Sequence, residues 1–147
     1  MTTSALLLDT KGWILALEGN EEPYARALAA ARPAIVPGLV LAEVDSWFQA
    51  RRKVMHDLLR DIAIGAYQYE PLTALDLERA REINAKFSRT RLGLVDASIA
   101  ALGERLGVHR VLTTDGDFVS VRVGKRWNVN FELAVPIPAR HGRGGAG

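Results

Sequence analysis

Short apolar runs alternate with segments of helical periodicity along almost the whole chain, and this alternation is the strongest constraint on the fold. The runs that we predict as strands are residues 4–9, 34–38, 67–72 and 109–114. The helical segments between them are residues 12–19, 21–33, 39–52, 53–66, 73–88 and 95–106. Strands that alternate with helices pair in parallel, because each helix carries the chain back to the same end of the sheet. The pattern predicts an α/β fold: a three-layer α/β/α sandwich with a central, mainly parallel sheet.

Length and composition favour one domain. The chain has 147 residues, of which 48% are hydrophobic, and this is enough to build a core without cross-links. We predict a single domain over residues 1–135, in which residues 119–124 and 127–135 form a terminal strand or hairpin. The Gly-rich, basic residues 136–147 are expected to be a disordered tail.

The residues that the chain lacks exclude several classes of protein. There is no cysteine, so a disulfide, a thiolate zinc site and a cysteine nucleophile are all impossible. The first residues do not resemble a signal peptide, and no apolar run reaches the roughly 18 to 20 residues that cross a bilayer. We therefore expect a cytoplasmic protein.

Charge is unevenly distributed along the sequence. Residues 119–147 contain five basic residues and one acidic residue, a formal charge of +4, which leaves −2 for residues 1–118. Such a division suits a protein that holds a cation in one place and phosphates in another, although solvated surface charge explains it equally well.

Four acidic residues from separate segments converge in the predicted fold. Asp9 ends the first strand and Asp115 follows the fourth, and the carboxyl ends of parallel strands meet in one crevice. Glu43 and Asp96 each lie at the border of the buried face of a helix, where an unpaired carboxylate costs desolvation energy. Each acid alone has an ordinary explanation as a cap, a first-turn acid, a turn residue or a border residue. Their convergence is what favours a functional site.

Clustered carboxylates determine the chemistry that such a crevice supports. They repel one another and persist together when a cation neutralises them, and hard oxygen ligands select Mg²⁺ or Mn²⁺. Such an ion activates water and binds phosphate oxygens. Phosphodiester hydrolysis is the reaction that this arrangement suits best.

Three motifs also resemble a known family. In order, "LLLDTKGWILAL", "PGLVLAEV" and "LGLVDASIAALGERLGVHRVLTTDGDF" resemble the PIN-domain ribonucleases, especially the VapC-type toxins of bacterial and archaeal toxin–antitoxin modules. The resemblance covers about residues 5–124 and implies an α/β/α sandwich, a homodimer, inhibition by a cognate antitoxin, and Mg²⁺-dependent endoribonuclease activity in which Mn²⁺ can substitute. It implies cleavage that leaves a 5′-phosphate and a 3′-hydroxyl. The family's acidic residues correspond to Asp9, Glu43, Asp96 and Asp115, with Asp117 as an auxiliary acid.

One position departs from the family pattern. Two residues after the first aspartate the family often has a small hydroxyl residue, and this chain has Lys11. Thr10 remains, and Thr113 or Thr114 could supply a hydroxyl near the metal. Lys11 could contact a substrate phosphate, or it could occupy part of the cation site and weaken metal binding. The second possibility supports a rival interpretation, a PIN-like module that binds RNA or a partner protein without cutting.

Basic and aromatic residues suggest where RNA would bind. Arg89 and Arg91, with Lys86, precede the helix of Asp96, and residues 51–53 follow the helix of Glu43. Both groups suit a phosphate backbone, although solvated helix ends explain them equally well. Trp13, Trp47 and Trp127 could stack on bases, but aromatic residues at helical spacing more often belong to the core, and we predict a core position for Trp47 at least.

Two further expectations concern mechanism and partner. His56, His109 and His141 show no pairing that would suit a metal-free ribonuclease, which favours metal-activated water. An antitoxin is expected to place a basic segment in the acidic crevice, where an arginine replaces the cation, and an apolar segment over a groove between the early helices. The RNA that is cleaved cannot be named from the sequence.

Overall fold

Parallel strands form the centre of the molecule. The computed structural model describes residues 4–137, and within them the strands are β1 (Leu6–Leu8), β2 (Ala34–Pro37), β3 (Gln68–Glu70), β4 (Arg110–Leu112), β5 (Arg122–Val123), β6 (Val129–Asn130) and β7 (Glu132–Leu133). Five of them build one sheet in the order β3-β2-β1-β4-β7, and every neighbouring pair is parallel. The predicted α/β/α fold with a mainly parallel sheet is confirmed.

Six helices flank this sheet within the described residues. They are α1 (Thr10–Glu18), α2 (Glu22–Ala30), α3 (Gly38–Trp47), α4 (Arg52–Ala63), α5 (Ala74–Lys86) and α6 (Leu94–Leu106). The predicted cap of α5 is present, because Thr73 and Asp76 form a reciprocal capping box. The segment predicted as two adjoining helices, residues 39–66, is divided by a turn at residues 48–51, so α3 ends earlier than its apolar pattern suggests.

The core explains why the strands read as continuous apolar runs. β1 lies between β2 and β4, and its three leucines are completely buried. Helix α6 is buried from Ala97 to Gly103, in agreement with a helix that packs against the sheet. At Gly103 a Cβ atom would lie 2.6 Å from the Val108 carbonyl oxygen, so only glycine allows this approach of the backbones. The buried apolar residues form one contiguous cluster.

The last described residues agree with the predicted terminal strand or hairpin and extend it. β5 and β6 form an antiparallel pair, and β7 then joins the edge of the main sheet beside β4. The predicted tail, residues 136–147, lies outside the described residues from position 138 onward. None of the helices within residues 4–137 combines the length and the apolar character that a membrane span requires.

Candidate active site

The predicted crevice lies where the direction of strand connection reverses. From β1 the chain proceeds to β2 on one side, whereas β4 lies on the other side of β1. This reversal opens a gap beyond the carboxyl ends of β1 and β4, the usual place for a ligand in such sheets. Asp9 follows β1 immediately, and its N–H donates to the Leu112 carbonyl at the end of β4 (3.0 Å). Gly12 makes this approach possible, because a Cβ atom there would lie 2.3 Å from the same oxygen.

Asp9 is held from two sides and is 7% exposed. Its Oδ1 accepts from the Thr10 N–H (2.8 Å), which caps α1. Its Oδ2 accepts from the Thr113 hydroxyl (2.5 Å), and that hydroxyl oxygen accepts from the Asp115 N–H (2.9 Å). Burial raises the pKa of Asp9, the charges of Asp115 and Glu43 raise it further, and the hydrogen bonds from Thr113 and Thr10 act in the opposite direction.

Asp96 has the most strongly perturbed pKa of the cluster. It lies in the first turn of α6, where the helix dipole favours a negative charge. Burial outweighs this effect, and together with the charges of Asp9 and Asp115 it raises the pKa of Asp96 from 3.8 to about 7. A hydrogen bond with Asp115 and the charge of Glu43 act in the same direction. Without a cation, Asp96 therefore keeps its proton until the pH is near neutral.

The remaining predicted acids border this pair. Glu43 is exposed on α3, and its Oε1 accepts from the Thr10 hydroxyl at 2.5 Å. Thr10 thus orients Asp9 through its N–H and Glu43 through its hydroxyl. Asp115 accepts from the Asp117 N–H (2.8 Å) at the start of a 3-10 helix, while the Asp117 side chain itself is exposed.

No lysine or arginine among residues 4–137 forms an ion pair with Asp9, Glu43, Asp96 or Asp115. The donors at this end of the sheet are carboxylate and hydroxyl oxygens, the type that Mg²⁺ prefers. In the described part of the chain, no three histidine, aspartate or glutamate side chains are placed to hold one metal ion together. Mg²⁺ commonly takes only one or two protein carboxylates and keeps several waters, so the residues fit this ion in kind and number.

A cavity of about 610 Å³ opens beside the carboxylates, within the usual size range of ligand sites. It is lined by Asp9, Thr10, Lys11, Ile14, Glu43, Ser46, Trp47, Thr114 and Asp115. Of the predicted substrate contacts, Thr10, Lys11 and Thr114 thus lie at the cavity. The Lys11 ammonium lies 4.9 Å from the centre of the Trp47 ring and not among the carboxylates.

The prediction that Trp47 belongs to the core is wrong, since 51% of the residue is exposed. The buried face of α3 is formed by Val40 and Val44, and Trp47 lies one turn after Glu43 on the cavity side. Ser46 also lines the cavity, although it was not among the predicted site residues. Ser46 and Trp47 follow Glu43 by three and four positions, so helical spacing places all three residues on the same side of α3. Trp13 is completely buried and donates to the Tyr67 hydroxyl (3.2 Å), which leaves it no surface for stacking.

The basic groups lie outside the cavity lining. Residues 51–53 are each paired with an acid, since Arg51 contacts Glu18, Arg52 contacts Asp45 and Lys53 contacts Asp57 at 2.6 to 3.0 Å. These pairs compete with the predicted phosphate contacts there.

The second basic group surrounds the segment that leads to Asp96. Arg89 lies in a short 3-10 helix and Arg91 adopts a left-handed backbone conformation (φ 56°), both exposed just before α6. The Lys86 ammonium lies 5.5 Å from the ring centre of Trp127, which is half-buried.

The match to a family model decides the classification. Residues 6–124 match the model of the PIN domain. The chain belongs to the PIN domain family. Ribonuclease VapC26 of Mycobacterium tuberculosis (strain H37Rv) is 28% identical to this PIN domain over 116 residues, which cover 75% of this chain and 86% of VapC26. The resemblance to VapC toxins is therefore confirmed as distant homology.

Solved structures agree with this fold assignment. VapC20 of Mycobacterium tuberculosis, described as a toxin that cleaves the sarcin-ricin loop, superposes with a TM-score of 0.65 at 22% identity and covers 79% of this PIN domain and 94% of its own chain. A toxin–antitoxin complex from Klebsiella pneumoniae gives a TM-score of 0.62 at 21% identity, with coverage of 78% and 90%. VapBC2 of Rickettsia felis, bound to a promoter DNA fragment, gives 0.60 at 18% identity, with coverage of 88% and 96%.

Proposed function

We propose that this PIN domain is a metal-dependent endoribonuclease that acts in the cytoplasm as the toxin of a toxin–antitoxin module. The observation that carries the proposal is the half-buried carboxylate cluster. None of its acids forms an ion pair with a lysine or arginine of residues 4–137, and the pKa of Asp96 is raised to about 7. Homology to a protein named ribonuclease VapC26 supports the reaction class. Acids with only a structural role would not remain beside one another without a cation to compensate the repulsion between their charges.

Asp9, Asp96 and Asp115 would hold Mg²⁺, with Mn²⁺ as a substitute, one or two of them directly and the rest through bound water. Glu43 and the auxiliary Asp117 lie at the border of the cluster, where they suit contacts through water. When bound, the ion lowers the pKa of water and neutralises charge on a phosphodiester. A cation would stabilise the ionised form of Asp96, whose pKa of about 7 leaves it partly protonated at neutral pH.

The protein's own residues supply orientation and proton transfer. Thr10 and Thr113 fix the carboxylate of Asp9 by their hydrogen bonds. Glu43 is exposed at the cavity, where its carboxylate can accept a proton from the attacking water. Thr114 and Lys11 offer a hydroxyl and an ammonium for phosphate oxygens. The products would be a 5′-phosphate and a 3′-hydroxyl, as the family resemblance implies.

Arg89 and Arg91 would guide the RNA backbone toward the cluster. Both are exposed on the segment that leads directly into the helix of Asp96. Contacts of this kind with phosphates add affinity without reading sequence, and they weaken as salt concentration rises.

Cleavage of a mixed cellular RNA pool tests the proposal. The purified protein is incubated with Mg²⁺, Mn²⁺ or EDTA beside Asp96→Asn, Asp9→Asn and the control Asp57→Asn, an exposed acid on α4. We expect cleavage that requires metal, is abolished by the first two substitutions and survives the control. Folded protein that has been freed of co-purifying inhibitor and cuts nothing with either metal would refute the nuclease.

A second candidate is a module that binds RNA or a partner protein without cutting. Two observations favour it: Lys11 replaces the hydroxyl residue that the family often has, and no three acids in the described residues form a ready metal-binding triple. Metal-dependent turnover in the cleavage assay separates the two candidates.

The proposed partner is a small antitoxin. Two similar structures are described as a toxin–antitoxin complex and as VapBC2, which motivates the search for one. An arginine from the antitoxin would enter the carboxylate cluster in place of the cation. Co-expression with small proteins encoded beside this gene should restore growth and yield a complex, and failure of both would reject the idea. Size-exclusion chromatography with light scattering tests the proposed homodimer.

A further inference from the structure

An exposed tryptophan beside a cluster of acids is unusual, and Trp47 is such a residue. It is 51% exposed and forms part of the cavity wall beside Glu43, Ser46 and Lys11. The helix has apolar positions that are buried, namely Val40 and Val44, so the fold does not use Trp47 to build the core. Large aromatic side chains at exposed positions are characteristic of binding surfaces.

A hydrogen bond orients the indole ring. Its Nε1–H donates to Glu18 Oε2 (3.3 Å), and the same oxygen accepts from Arg51 Nη2 (3.0 Å). The hydrogen bond comes from the edge of the ring, so it leaves the π-face for other contacts. On that face the Lys11 ammonium lies 4.9 Å from the ring centre. A ring that is oriented before binding loses less conformational entropy when a ligand stacks on it.

We propose that Trp47 is a stacking platform for an RNA base next to the phosphate that enters the carboxylate cluster. The inference rests on the proposed function of this site, and it adds a residue that determines how the substrate is held. A single-stranded base stacks on an indole whatever its sequence, because every base has a π-face. Lys11 has a flexible stem and can leave the ring to meet the adjoining phosphate when the base arrives.

The charges around the ring favour a nucleotide over an apolar peptide segment. An apolar peptide side chain on Trp47 would bury the Lys11 ammonium without an anionic partner and the Glu43 carboxylate with only the Thr10 hydroxyl, at a desolvation cost. A nucleotide supplies a phosphate for the ammonium and a polar sugar edge beside the base. The cavity of about 610 Å³ is large enough for such a ligand.

Binding to two matched oligonucleotides tests the platform. The probes are a fluorescein-labelled uridine octamer and the same octamer without its bases. Every protein in the assay carries Asp96→Asn, which is chosen to prevent cleavage. Fluorescence anisotropy is measured for this protein with Trp47 unchanged, with Trp47→Ala and with Trp47→Phe. Leu75→Ala, which shortens an apolar side chain that is 80% exposed on α5, is the matched control. Circular dichroism establishes that each variant is folded.

We expect Trp47→Ala to weaken binding of the uridine octamer by about tenfold, the effect of losing one stacked base. Trp47→Phe should recover most of the affinity, Leu75→Ala should change nothing, and the octamer without bases should bind Trp47 and Trp47→Ala proteins equally. An equal loss on both octamers, no loss on either, or no binding of the uridine octamer by the Asp96→Asn protein would overturn the proposal.

The results remain distinguishable from those of the nuclease assay. If the wild-type protein cuts no RNA but Trp47→Ala loses affinity only for the octamer that has bases, the nuclease is refuted and the platform is supported. The opposite result is that RNA is cut, Trp47→Ala leaves the KM unchanged, and the Trp47→Ala protein binds both octamers normally. The nuclease is then supported and the platform is refuted.

Discussion

The raised pKa of Asp96 predicts an unusual dependence of stability on pH. In the folded protein this pKa is about 7, against an ordinary value of 3.8. The folded state therefore keeps a proton that the unfolded state loses, and stability falls as the pH rises from about 4 to about 7. At about 1.36 kcal/mol for each pH unit the full effect would approach ~4 kcal/mol. Asp96 is only partly buried, and allowing for solvent screening leaves about 2 kcal/mol.

Asp96→Asn removes this titration. Substitution of a partly buried residue usually lowers stability, but here we expect stability to rise. In EDTA at pH 8 we expect the variant to be about 2 kcal/mol more stable than the wild type, and at pH 4 we expect little difference. Urea unfolding followed by circular dichroism at both pH values measures the change. A variant that is less stable than the wild type at pH 8 would refute the reasoning, because Asp96 would then make a stabilising contact as an ion.

Added Mg²⁺ should stabilise the wild type more than it stabilises Asp96→Asn. A ligand that binds only the folded state stabilises it, so Mg²⁺ at pH 8 should raise the melting temperature of the wild type. Asp96→Asn should gain much less. Equal gains would show that the ion binds elsewhere.

Three further substitutions test other contacts. Lys11→Ser should raise Mg²⁺ affinity less than about threefold in calorimetry, because the ammonium lies over Trp47, and a tenfold gain would place it in the cation site. Gly12→Ala should lower the free energy of unfolding in urea by about 1 to 3 kcal/mol, since its Cβ would overlap β4. The control Gly93→Ala, which has open space around it, should lower it by less than about 1 kcal/mol. Arg79→Met should lower the free energy of unfolding by about 2 kcal/mol, because it leaves the partly buried Glu104 without its cation. A loss no larger than that of the exposed control Arg81→Met would contradict this.

The sequence was sufficient to predict that these acids converge, because the rule that brings them together does not depend on strand order. Asp9 and Asp115 each follow a parallel strand, so they reach the same end of the sheet in any arrangement. Glu43 and Asp96 could be added from helical periodicity alone. The hydrogen bond that joins Asp9 to Thr113 spans 104 positions, and only the observed pairing of β1 with β4 defines it.

Other features required tertiary contacts that periodicity does not contain. β7 is two residues long and becomes a strand of the main sheet only because β4 offers it an edge. Trp47 lies at the border of the apolar face of α3, and neighbouring elements decide on which side such a residue is exposed. The turn at residues 48–51 has no glycine or proline to mark it.

The place of β1 between β2 and β4 has a consequence for synthesis of the protein. β1 can pair with β2 soon after both leave the ribosome, but Thr113 is added 104 residues after Asp9, so these two residues meet only much later. At about 5 to 20 residues per second, this delay lasts at least several seconds. A nascent chain therefore cannot assemble its carboxylate cluster while it is still short, and the proposed active site is completed only when translation has passed β4.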